Sequence, residues 1–229
     1  MAKTRRLIIA IDGPSGVGKG TVSRTLAERL GYRHVDTGAM YRAVAWLALE
    51  RGTRLDDEAG IAALARLSAL EIDGGQVRID GVDVTGRIRN PEIDRAATAV
   101  ARMPSVRAVL VERQRALGRE GGVVMEGRDI GTVVFPSADV KIFLDASPEE
   151  RARRRAADPA HGGGPARLAE VATELATRDQ MDRTRAASPL ALAGDAVQVD
   201  TTGVPVDEVV ERVLAIVNRQ SSIVNQRSL

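Results

Sequence analysis

Between Ile11 and Thr21 the chain reads Ile-Asp-Gly-Pro-Ser-Gly-Val-Gly-Lys-Gly-Thr, a spacing suited to holding a row of phosphates. Glycines at 13, 16, 18 and 20 let backbone N–H groups turn inward around an anion without Cβ clashes. Lys19 completes a G-x4-G-K pattern and can reach the β- and γ-phosphates of a nucleotide, while a helix starting near it would add its positive end. The predicted nucleotide contacts are therefore Gly13, Pro14, Ser15, Gly16, Val17, Gly18, Lys19, Gly20 and Thr21. The residue after the lysine is normally a Ser or Thr that ligates Mg²⁺, and here it is Gly20. The chemistry then calls for Mg²⁺ held largely by phosphates and water, with no protein metal ligand assigned.

A phosphate donor needs an acceptor, and three clusters set arginine beside carboxylate or hydroxyl. They are the segments 36–42 (Asp-Thr-Gly-Ala-Met-Tyr-Arg), 126–136 (Glu-Gly-Arg-Asp-Ile-Gly-Thr-Val-Val-Phe-Pro) and 178–185 (Arg-Asp-Gln-Met-Asp-Arg-Thr-Arg). Guanidinium groups grip phosphate bidentately and stay charged when partly buried. The Arg178–Asp182 spacing is also that of a simple helix-stabilising pair. Arg128 and Asp129, just past an apolar run and followed by Gly131, point more strongly to function.

The elements that must position these groups follow from periodicity. Apolar or β-branched runs at 7–11, 33–35, 123–125, 140–144 and 197–199 alternate with helical patterns such as 21–30, 104–118, 148–157 and 206–217. That alternation predicts a parallel sheet of five strands covered by helices on both faces, a three-layer α/β fold, with ligands outside the carboxyl ends of the strands. Residues 71–85 carry Gly74-Gly75 and Asp80-Gly81 turn signals with alternation between them, which predicts a small antiparallel insert. The turn-rich stretch 158–165 reads as part of a mobile lid. The expected division is a core of 1–36, 108–150 and 168–219, an acceptor-binding subdomain at 37–107, a lid at 151–167 and a frayed tail at 220–229.

Composition excludes several classes. Cysteine is absent and only His34 and His161 occur among 229 residues, so disulfides, thiolate sites and a histidine-rich zinc site are ruled out. Lys and Arg number 33 against 31 Asp and Glu, a net +2 that does not suggest a nucleic-acid coat. Only Lys3, Lys19 and Lys141 are lysines; the arginine bias is first a matter of genome base composition. No apolar run is long enough to span a membrane, and the short stretch 7–11 behind a basic start is too brief for a secretion signal. A cytoplasmic location is expected.

Taken together, GPSGVGKGT at 13–21, DTGAMYR at 36–42, EGRDIGTVVFP at 126–136, KIFLDAS at 141–147 and TRAASPL at 184–190 resemble the bacterial cytidylate kinases, through nearly the whole chain up to about Asn218. The resemblance implies a P-loop NTPase fold with the antiparallel insert, and phosphorylation of CMP and dCMP by ATP with Mg²⁺. It implies that Lys19, Arg128 and Arg185 act in catalysis, and that Arg42, Arg128 and Arg185 grip phosphates. Thr98, Arg107 and Asp129 would meet the cytosine edge, although Thr98 stands where the family carries serine. Asp182 with Arg178 would touch the sugar, and Asp36, Thr37 and Tyr41 complete the acceptor site. Arg151, Arg154 and Arg155 would approach ATP from the lid. A monomer, with no nucleic-acid polymer or membrane partner, is what the family suggests.

The nearest alternative is another small-substrate kinase of this fold, acting on UMP, AMP or shikimate. A switch GTPase would need an Asn-Lys-x-Asp segment, which does not occur. An RNA-binding role would need stacking platforms, and Trp46 with two tyrosines and two phenylalanines offers few.

Overall fold

The five predicted strand segments form one parallel sheet in the computed structural model, which describes residues 6–158 and 167–226. The basic start at 1–5, the turn-rich part of the lid at 159–166, which includes His161, and residues 227–229 lie outside the described residues. In chain order the elements begin with β1 (Ile8–Asp12), α1 (Lys19–Leu30), β2 (Arg33–Asp36), α2 (Thr37–Glu50) and α3 (Glu58–Leu67). The insert follows as β3 (Leu70–Asp73), β4 (Gln76–Ile79) and β5 (Val82–Asp83), then α4 (Pro91–Val100) and α5 (Pro104–Gly118). The chain ends with β6 (Val123–Gly127), a π-helical turn (Ile130–Val134), β7 (Val140–Asp145), α6 (Pro148–Ala156), α7 (Leu168–Thr184), β8 (Val197–Asp200) and α8 (Val206–Gln226).

The parallel sheet runs in the order β2-β6-β1-β7-β8. Its central strand is apolar up to Asp12, as covering on both faces requires: Ile9, Ala10 and Ile11 have no exposure. On one face Val22 and Leu26 of α1 and Val209, Val210, Val213 and Val217 of α8 pack on Ile9, Ile11, Ile142 and Leu144. On the other face Ala10, Val35 and Met125 meet Val111 of α5 and Ile130 and Val134 of the π-helical turn. Each fully buried Ile or Leu in these layers contributes roughly 1.5–3 kcal/mol of transfer free energy.

A separate apolar cluster joins α2, α3, the insert, α4 and part of α5, with Ile61, Ile79, Ile88 and Leu110 at its centre. The insert is the antiparallel three-stranded sheet that its turn residues predict, in the order β3-β4-β5. Helix covers part of the expected tail and part of the expected lid. The segment from Gln220 is helical as far as Gln226. Arg151, Arg154 and Arg155, in the expected lid, stand on helix α6, which packs on α7.

One glycine fixes how closely the loop after β1 approaches its neighbour. Gly13 has φ +150°, and a Cβ there would lie 2.1 Å from the Leu144 carbonyl oxygen of β7. Gly13→Ala should therefore cost about 1–3 kcal/mol through overpacking and backbone strain. Thermal unfolding should show a lowered Tm, and an unchanged Tm would contradict this packing.

Candidate active site

Strand order explains why distant clusters meet. Asp12 is paired with Gly127, and Asp36 with Glu126, so β1, β2 and β6 end together. The loop after β1, the start of α2 and the Gly127-Arg128-Asp129 segment thus share the carboxyl edge of the sheet, the expected position for ligands in such folds. They border a cleft of about 970 Å³.

The loop at 13–18 wraps toward α1, with Gly16 at φ +84° and Gly18 at φ +90°. Lys19 is buried, and its Nζ donates to the carbonyls of Gly13 (2.8 Å) and Pro14 (2.6 Å). Burial, and then Arg128, push its ammonium down to about 7, against the opposing pull of Glu126 and Asp12. Asp12 anchors the far side: its carboxylate accepts from the amides of Ile130 (2.8 Å) and Gly131 (2.7 Å). Burial nonetheless raises Asp12 to about 6.

Asp36 caps α2 by accepting from Ala39 N (3.0 Å) and holds Arg42 at 2.8 Å, with Arg89 3.9 Å away. Burial alone would raise this carboxyl, but Arg42, the Ala39 amide and Arg89 keep it below its ordinary range. Thr37 Oγ1 donates to the Glu126 carbonyl at 2.7 Å. Deeper in, Arg107 pairs with Asp129 at 2.5 Å and its guanidinium lies over the Tyr41 ring. Tyr41 is buried, which raises its phenol to about 12 despite Arg107. Thr98 donates its hydroxyl to the Asp94 carbonyl (2.8 Å).

Arg128 Nε donates to Asp182 at 2.9 Å, and Arg185 bridges Asp129 (3.4 Å) and Asp182 (3.8 Å). Burial would lower Arg128, but Asp182 overrides it. Arg178 and Arg185 are both lowered by burial and by a neighbouring arginine, Arg178 to about 10. Asp182 stays below its ordinary value because Arg128 and Arg178 outweigh its burial.

Most of the sequence-predicted residues line this one cavity: Ser15 to Thr21, Asp36, Thr37, Tyr41, Arg42, Thr98, Arg107, Arg128, Asp129, Arg154, Arg155, Arg178, Asp182 and Arg185. Gly13 and Pro14 sit behind it and meet Lys19 through their carbonyls. Arg151 is not on the wall: its guanidinium is buried, paired with Asp179 and donating to the Ser15 carbonyl (3.3 Å), so it braces the loop from behind. Further lining residues to which the sequence reading gave no role include Arg24, His34, Arg89 and Glu126. Glu126 opens the 126–136 motif and could have been found there; no local pattern marks the other three.

Glu126 bears on the metal. Gly20 presents no hydroxyl, and a Cβ at that position would lie 3.5 Å from Glu126 Oε1. The Glu126 carboxylate, held by His34 Nε2 at 2.9 Å, thus stands beside the place where a Ser or Thr side chain would project. Among the described residues no group of three or more His, Asp or Glu gathers as a metal site. This donor set fits a divalent ion that keeps its waters.

A family model for cytidylate kinase matches residues 9–219. A cytidylate kinase of Geobacillus sp. (strain WCH70) is 49% identical over 93% of this chain and 96% of its own length. One from Pelotomaculum thermopropionicum is 50% identical over 92% and 95% respectively. Among solved structures, a gluconokinase from Sinorhizobium meliloti superposes with a TM-score of 0.54 at 16% identity, covering 99% of this chain and 100% of that one, which is a likeness of fold alone.

The depressed Lys19 ammonium has a measurable consequence. A polyphosphate beside it favours the charged form again. Binding of a nucleoside triphosphate at pH 8 should therefore be accompanied by proton uptake. Calorimetry in buffers of different ionisation enthalpy reads this directly; a buffer-independent heat would contradict it, and Lys19→Met should abolish the uptake.

Proposed function

The chain belongs to the cytidylate kinase family and catalyses the ATP-dependent phosphorylation of CMP and dCMP to CDP and dCDP; from that premise we propose a role for each group in the cleft. The observation that supports the assignment is that the Lys19 loop and the Arg107–Asp129 pair share one cavity with Arg42, Arg128, Arg178 and Arg185. One end suits a polyphosphate and the other suits a base with both donor and acceptor edges.

The loop amides and Lys19 hold the ATP phosphates, and Lys19 exchanges its two loop carbonyls for phosphate oxygens. Arg42 and Arg128 hold the acceptor phosphate, and Arg128 with Arg185 stabilises the phosphoryl group in transit. Asp129 accepts from the cytosine amino group while Arg107 donates to the ring nitrogen and carbonyl. Thr98, whose proton already points to Asp94, is left as an acceptor toward the same edge. Uracil would turn a carbonyl toward Asp129, and a mispaired buried polar group costs about 1–3 kcal/mol. Asp182 and Arg178 meet the sugar hydroxyls. Arg154 steadies the loop through the Val17 carbonyl (3.3 Å) and Thr201 (2.9 Å), and Arg155 turns to ATP on closure.

The reaction requires no protein base. The CMP phosphate oxygen is already anionic; it forms the new O–P bond as the bond from the γ-phosphorus to the bridging oxygen breaks, and ADP leaves with that electron pair. The protein supplies position and charge. Glu126, held by His34, would face a hydrated Mg²⁺ beside Gly20, and the ion would supply further charge neutralisation when bound. Closing of the 37–107 subdomain and of the 151–167 lid over the 1–36, 108–150 and 168–219 core excludes water, which would otherwise compete as acceptor. Among the described residues no helix is long and apolar enough to cross a membrane; a cytoplasmic monomer completes the reading.

Steady-state ADP formation with CMP, dCMP, UMP and AMP tests the assignment, with CMP and dCMP expected to be turned over best. Arg128→Ala should lower kcat by roughly 10²–10³, the cost of one preorganised charged donor; full turnover would remove it from catalysis. Asp129→Ala should narrow the CMP-to-UMP ratio of kcat/KM, and a ratio equal to wild type would exclude Asp129 from base reading.

A further inference from the structure

The three arginines of α6 are not equivalent. Arg151 and Arg154 are engaged on their own side, with Asp179 and the Ser15 carbonyl and with Glu150, Thr201 and the Val17 carbonyl. Arg155 instead reaches across and pairs with the Asp94 carboxylate of α4. Helix α4 packs against α2 in the acceptor-side cluster, whereas α6 packs against α7. The pair therefore links the phosphate-loop side of the cleft to the acceptor side.

Three observations give the link weight. The side chains are only 21% and 11% exposed, so solvent screens the pair less than an ordinary surface contact. Asp94 also favours the charged form of buried Arg178, which Arg128 and Arg155 oppose, so one carboxylate serves two arginines of the cleft. Asp94 lies one helical turn before Thr98, which donates to its carbonyl; the base-facing position and the ion pair therefore move as one piece. Behind them, a second cavity of about 820 Å³ separates α4 from α7, with Leu175 and Met181 on its wall. That space gives α4 room to approach α7.

We propose that Asp94 is a positioning residue that ties Arg155 to the acceptor helix, so that Arg155 is delivered to the donor phosphates only when α4 closes on a bound acceptor. This rests on the reading of Arg155 as an ATP-facing group. An arginine left to swing could neutralise the γ-phosphate with water as the only acceptor. Held by α4, it becomes conditional on the second substrate, which is a coupling free energy between two sites.

The test compares ADP formation with and without CMP in Asp94→Asn, which keeps size and removes charge. The ratio of CMP-dependent to CMP-independent turnover should fall by roughly tenfold, in the range typical of coupled sites. Arg155→Gln, which leaves α4 untouched, should show the same fall, and adding Asp94→Asn to it should change the ratio no further. Asp94→Glu should restore most of the coupling. A wild-type ratio in Asp94→Asn, or effects of the two substitutions that simply multiply, would overturn the tether. Should Asp94→Asn fail to fold, a wild-type ratio in Arg155→Gln overturns it equally. Turnover of CMP by the unaltered enzyme tests the family reading separately, so each idea can fail alone.

Discussion

Crowded positive charge in a water-poor cleft is the constraint on which the structure turns. Burial makes the charged forms of Lys19, Arg178 and Arg185 costly, and a neighbouring arginine adds to the cost: Arg128 at Lys19 and at Arg178, Arg107 at Arg185. Such a cluster persists only if something else holds it. Here carboxylates do so: Asp36 for Arg42, Asp129 for Arg107 and Arg185, Asp182 for Arg128. The cation cluster still exceeds what they neutralise at Lys19, whose ammonium leans on two loop carbonyls. Two phosphorylated nucleotides would supply the missing negative charge, so the resting strain and the binding function are one property.

The scaffold has to bring these groups within a few ångströms and keep them there. Parallel pairing in the order β2-β6-β1-β7-β8 places three strand ends side by side, and close contacts do the rest. A Cβ on Gly127 would lie 2.7 Å from Thr37 Oγ1 and from Ile130 Cδ1, so any larger residue would separate β6 from the start of α2. The Asp12 carboxylate then ties the π-helical turn to the phosphate loop through two amides. That a carboxylate with a raised pKa is retained there fits a positional role. Its folded pKa of about 6 exceeds the ordinary 3.8, so its contribution to stability is fullest below pH 3.8 and is lost as pH rises through 6.

What could be read from the chain beforehand follows the same physics. The phosphate loop was legible because backbone geometry forces glycine at fixed spacings, and the insert because Gly74-Gly75 and Asp80-Gly81 mark its turns. The inner strands β1, β6 and β7 were legible from apolar runs, whereas β2 and β8 carry only short apolar or β-branched signals. The lateral order of the strands was not legible, since nothing local in β6 says that it lies between β1 and β2. Arg24, His34 and Arg89 were missed for that reason: each is an ordinary polar residue until the sheet order brings it to the cleft. The placement of Arg151 behind the loop was illegible for a related one. Its spacing along α6 resembles that of Arg154 and Arg155, but Asp179, on α7, turns it behind the loop.

The carboxylates that restrain the arginines are also, in the proposed reading, the groups that read the substrate. Asp129 holds Arg107 and Arg185 and would accept from the cytosine amino group; Asp182 holds Arg128 and would accept from the sugar. A carboxylate has about four lone-pair directions, so these roles need not exclude one another, but they share one charge. A correct nucleoside adds neutral donors and leaves that charge in place while its phosphate draws the arginines forward. A base that presents an acceptor to Asp129 would push on the same carboxylate that orients Arg185. Misreading the base then disturbs the guanidinium needed for transfer, and selectivity reaches kcat as well as KM. Asp36 stands apart, since its partner Arg42 would serve the phosphate in that reading, and its loss should be blind to the identity of the base.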